Sequence, residues 1–139
     1  MQSLFPTNDD ELLTSVYQKL GRTLDDLPYT EQFDALYDAM YGAVTDGPPR
    51  GVVFRRLHNL RKAGRLPRLG RAPGGPPRID AAHEALLIRI VESAHGPIST
   101  RDQLPYTEAF DRIAARFNAE AGLSLTHHDL WRILAKLAK

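Results

Sequence analysis

Nine arginines and lysines crowd residues 50–80: Arg50, Arg55, Arg56, Arg61, Lys62, Arg65, Arg68, Arg71 and Arg78, against Asp80 as the one acidic side chain. Such a density of cations is the footprint of a phosphate-binding surface, because neutralising nucleic-acid phosphates releases their condensed counterions. Arginine dominates the block, and its planar fork can grip a phosphate or the O6 and N7 edge of guanine. The formal net charge of +1 conceals the block. Residues 1–49 hold two basic and nine acidic side chains, and residues 81–139 hold seven of each. That acidic first segment offers a rival explanation, since it could neutralise the basic side chains within the fold or screen them until DNA competes.

Other chemistries find little footing. The chain has no cysteine, which removes disulfides, thiolate catalysis and Cys-type metal sites together. His127 and His128 are adjacent, so on a helix they point about 100° apart and do not readily share one metal ion. No serine or cysteine nucleophile joins them and Asp129 in a recognisable triad. The glycine-rich run Gly70–Gly75 lacks both the Lys-Ser/Thr pair and the G-x-G-x-x-G spacing of phosphate loops. The expectation is a protein without catalysis, metal or cofactor. Apolar residues at 42% and charged residues at 25% are ordinary for a soluble globular chain. The longest apolar stretch is broken by Arg89, and the first residues lack the pattern of a signal peptide, so a cytoplasmic protein is expected.

The elements that must carry the basic block come in duplicate. Leu27-Pro-Tyr-Thr-Glu31 recurs as Leu104-Pro-Tyr-Thr-Glu108, and the match continues at one constant offset to the last residue. Phe33 meets Phe110, Leu36 meets Ile113, Phe54 meets Trp131, Arg55 meets Arg132 and Leu57 meets Leu134. Upstream, with three extra residues in the second copy, Leu12, Leu13, Val16 and Tyr17 meet Leu86, Leu87, Ile90 and Val91. The pattern predicts a tandem duplication, with one unit at 8–63, a second at 81–139 and a Gly/Pro-rich wing or linker at 64–80. Eight of the fifteen residues from Gly64 to Arg78 are Gly or Pro, which excludes helix there.

Each unit reads as three helices, giving an all-α protein. Leu12, Leu13, Val16, Tyr17 and Leu20 have helical spacing after an acidic start, and Gly21 is a natural stop. Thr23 and Asp26 have the spacing of a capping box. Thr30 caps the second helix and Thr107 repeats that cap; Asp46–Pro49 ends the helix in the first unit and Gly122–Thr126 in the second. The repeated Leu-Pro-Tyr-Thr-Glu reads as a structural elbow. The third helices are expected at about Arg50–Ala63 and His127–Lys139. Val53, Phe54, Leu57 and Leu60 fill one arc of the first, with Arg55, Asn59 and Lys62 on the opposite stripe. Leu130, Trp131, Leu134 and Leu137 repeat the arc, and Arg132, Lys136 and Lys139 the stripe.

The run from Val53 to Arg71 resembles the winged-helix branch of helix-turn-helix proteins: a basic helix, a stop at Gly64, then a basic segment. That resemblance covers about residues 8–78 and implies a recognition helix in the major groove with a short β wing at 64–78 on the backbone. By it, Arg55, Asn59 and Lys62 face base edges or phosphates, Asn59 being suited to adenine, while Arg65, Arg68 and Arg71 are wing contacts. Pro67 and the unusual turn Asp46–Pro49 depart from the pattern, and the second unit ends without a wing.

The resulting expectation is a regulatory or sequence-tolerant binder of double-stranded DNA. Arg50, Arg55, Arg56, Arg61, Lys62, Arg65, Arg68, Arg71 and Arg78 would neutralise its backbone. Arg132, Lys136 and Lys139 would add a weaker second contact. The alternative is a protein–protein adaptor built from two helical repeats, with the second unit as partner or homodimer surface and no membrane involved.

Overall fold

A computed structural model describes residues 6–69 and 75–139. Among them the regular structure is all helix, with no strand. The chain divides into two compact units, Met1–Ala72 and Pro73–Lys139. The first holds α1 (Pro6–Leu20), a 3₁₀ turn (Leu24–Asp26), α2 (Glu31–Tyr41) and α3 (Arg50–Lys62). The second holds α4 (Ala81–Ala94), a 3₁₀ segment (Ile98–Gln103), α5 (Glu108–Ala121) and α6 (His127–Leu137).

The elbow has the same geometry in both units. Tyr29 and Tyr106 each take φ 65°, the left-handed region that side chains other than glycine rarely occupy. The next residue then does two jobs with one hydroxyl. Thr30 Oγ1 donates to the Leu27 carbonyl at 2.7 Å and accepts from the Phe33 N–H at 3.1 Å. Thr107 Oγ1 donates to Leu104 at 2.6 Å and accepts from Phe110 at 3.2 Å. The bond from the phenylalanine N–H closes one of the unpaired groups at the helix start, and that phenylalanine is fully buried in both units.

The cores follow the expected arcs. Leu13, Tyr17, Phe33, Leu36, Val53, Phe54, Leu57 and Leu60 are buried in the first unit; Leu87, Ile90, Val91, Phe110, Phe117, Leu130, Trp131 and Leu134 in the second. Leu12 departs from the reading and stands 52% exposed, because the buried stripe of α1 runs through Leu13 and Tyr17 and leaves Leu12 to one side.

Two local expectations need correction. Thr23 makes no side-chain cap; its carbonyl accepts from the Asp26 N–H at 2.9 Å, and the neighbouring Leu24 N–H donates to the buried Tyr17 hydroxyl of α1 at 2.8 Å. Helix α2 ends at Tyr41, before Asp46–Pro49, whereas α5 runs to Ala121. Gly42 ends the one helix, while Ala119-Glu-Ala121 extends the other and Gly122 stops it at φ 68°, where glycine pays no steric penalty.

The two turns that follow are closed at the same register position by different chemistry. In the second unit Asn118 Nδ2 donates to the Leu125 carbonyl, and Asn118 Oδ1 accepts from the Leu125 N–H, both at 3.0 Å. Residue 48, the corresponding position, is a proline and has no N–H to offer. There the Tyr37 hydroxyl donates to the Pro48 carbonyl at 2.6 Å. Gly47 allows this approach, since a Cβ there would meet the Tyr37 hydroxyl at 2.9 Å.

Burial pushes the Tyr17 phenol above its ordinary pKa, outweighing the Leu24 N–H that lowers it, and burial also raises Tyr41. A group held protonated in the fold contributes stability that is complete below its unfolded value, about pH 10, and lost as pH rises through the folded value. The denaturation midpoint of the first unit is therefore expected to fall above about pH 10, in step with tyrosinate absorbance. Tyr17→Phe should flatten that fall; an unchanged alkaline profile would remove Tyr17 as its source.

Candidate nucleic-acid interface

Arg50, Arg56 and Arg61 turn toward acidic side chains of the same unit. Arg56 Nε lies 2.6 Å from Asp10 Oδ1 on α1, and Arg61 Nη1 lies 3.2 Å from Asp25 Oδ1 in the 3₁₀ turn. Arg50 stacks over the Tyr37 ring, 4.5 Å from its centroid, with its Nε 3.4 Å from Asp34 Oδ1. Arg61 Nη2 also approaches His58 Nε2 at 3.1 Å. A guanidinium only donates, so the ring nitrogen serves as the acceptor in that contact. These contacts tie α3 to the elements before it.

Arg55, Asn59 and Lys62 are all exposed. At 3.6 residues per turn they fall within an arc of about 60°, opposite the buried Val53, Leu57 and Leu60. Val52 continues the same face toward the N-terminus and is 50% exposed. Among the described residues no acidic side chain pairs with Arg55, and the Asn59 carboxamide makes no hydrogen bond.

Further exposed cations follow the end of the helix. Gly64 takes φ 72°, and the Arg65 N–H turns back to the Leu60 carbonyl at 2.9 Å, a closure that only a left-handed residue permits without strain. Arg65 and Arg68 follow directly, both exposed, in a stretch without regular structure. Residues 64–69 and 75–80 contain no strand, and the segment expected to form the β wing otherwise falls, with Arg71, outside the described residues. Arg78 is exposed but belongs to the second unit. In α6, Lys136 and Lys139 are exposed and Arg132 is half-buried.

Other candidate chemistry stays sparse. His127 Nε2 lies 3.0 Å from Asp111 Oδ1 and packs edge-on to Phe110. Among the described residues no group of three or more His, Asp or Glu side chains could hold a metal ion, and no helix is long and apolar enough to cross a membrane. Sequence reasoning passed over Val52, whose signal was available: it lies three residues before Arg55, on the stripe it had drawn from polar residues alone. Comparison with protein-family models, curated proteins and solved structures finds no match to this chain.

Proposed function

We propose that the chain is a regulatory, cytoplasmic protein that binds double-stranded DNA, with α3 laid against the duplex. One observation carries the reading: α3 sends Arg50, Arg56 and Arg61 to acidic partners, while Arg55, Asn59 and Lys62 share an exposed face and two further exposed arginines, Arg65 and Arg68, follow the helix in sequence. Those ion pairs hold three arginines, while Arg55, Arg65 and Arg68 are exposed. Arg55 and Lys62 place two cations on one side of a helix with the dimensions to enter a major groove.

In this reading the two units are copies of one helix-turn-helix-like element, a view supported by the identical elbow geometry at Tyr29 and Tyr106. The second unit, with fewer exposed cations on α6, serves as a weaker DNA contact or as a dimerisation surface. Residues 64–78 act as a backbone-tracking wing.

The test is fluorescence anisotropy of a labelled duplex at several salt concentrations. If about five phosphates are neutralised, log K is expected to fall against log[salt] with a slope of about −4 to −5. Absence of binding at low salt would overturn the proposal and direct the search to a protein partner.

A further inference from the structure

The exposed face of α3 holds more than charge. Val52 is half-exposed in a unit whose other valine on this helix, Val53, is 1% exposed. An isolated surface valine is unremarkable. This one shares an arc of about 80° with Arg55, Asn59 and Lys62, at the end of the helix opposite Lys62. The face therefore presents an apolar branch, a cation, a carboxamide and a second cation in order.

Those groups match particular base edges. A carboxamide offers a donor and an acceptor side by side, the complement of adenine N6 and N7, and a branched apolar side chain fits the C5 methyl of thymine. Val52 and Asn59 are seven residues apart, about 10 Å along the helix axis, or about three base-pair steps. Arg55 lies between them and Lys62 follows Asn59, with Arg65 and Arg68 later in the chain to meet phosphates.

We infer that α3 reads A·T base pairs in the major groove, with Asn59 bonding an adenine and Val52 packing on a thymine methyl about three steps away. The inference rests on the proposed DNA binding. It selects DNA over RNA, because uracil lacks the methyl and the deep, narrow major groove of A-form RNA does not admit a helix.

The experiment uses the full chain and duplexes of about 20 base pairs, one carrying an A·T core and one entirely G·C. The A·T duplex is expected to bind about tenfold more tightly. Uracil in place of thymine, and 7-deazaadenine in place of adenine, alter only the major-groove edge. Each should lower affinity severalfold. Val52→Ala should bind the thymine and uracil duplexes equally, and Asn59→Ala should lose its sensitivity to 7-deazaadenine. Circular dichroism confirms that both variants fold, as expected for exposed positions. Equal binding of all duplexes by the wild-type chain would overturn this inference and leave DNA binding standing. An A·T preference insensitive to uracil and 7-deazaadenine would also overturn it. Absence of binding to every duplex would overturn the proposed function as well.

Discussion

Replacing Arg55 and Lys62 together with alanine should lower duplex affinity by about 10²-fold, since each charged hydrogen bond to phosphate contributes about 1.5 kcal/mol or more. The salt slope should shrink by about two, one for each phosphate contact removed. Arg56, the immediate neighbour of Arg55, supplies the contrast. Its guanidinium is held by Asp10 at 2.6 Å, and the Asp10 side chain is only 16% exposed. Arg56→Ala removes as much charge from the same helix but should leave the salt slope near wild type, and its cost should appear in stability. Equal effects of Arg55→Ala and Arg56→Ala on binding would mean that bulk positive charge, and not the exposed face, holds the DNA.

The second large effect concerns the core of the other unit. Trp131 is fully buried and is the chain's one tryptophan. Trp131→Ala removes the largest apolar side chain of that core and should destabilise the second unit by about 3–5 kcal/mol. Units of this size bury a modest core, so such a loss takes most of the available stability. Denaturant unfolding followed by far-ultraviolet circular dichroism should show an early transition or a reduced helical signal. Trp131→Phe places the ring found at Phe54 in the first unit and should retain the fold. A midpoint unchanged in Trp131→Ala would show that the second unit does not depend on this ring.

What the sequence disclosed depended on how far apart the interacting groups lie along the chain. The caps at Thr30 and Thr107 were legible because donor and acceptor are three residues apart. The buried rings of Phe54 and Trp131 were legible from helical periodicity. Thr23 misled because the Asp26 N–H bonds its carbonyl and not its hydroxyl, while the next N–H, that of Leu24, is met by Tyr17, seven residues before it on another helix. The split among the arginines was hidden for the same reason. Arg56 and Arg61 find their carboxylates 46 and 36 residues earlier, and nothing local distinguishes them from Arg55. The excess of acid in residues 1–49 did announce that partners existed, but only folding assigned them. Val52 was missed because a polar stripe was sought where an exposed face was needed.

The two clasps at residues 48 and 125 define what could be transplanted between the units. Asn118 needs an N–H and a carbonyl at its target, and Pro48 offers only the carbonyl. Grafting α5 alone in place of α2 would set an asparagine against a proline and leave half of its amide idle. Segments 31–49 and 108–126 have equal length, and each carries helix, turn and clasp together. The interchangeable part is therefore the helix with its following turn, and recombination that respected this boundary would preserve both closures.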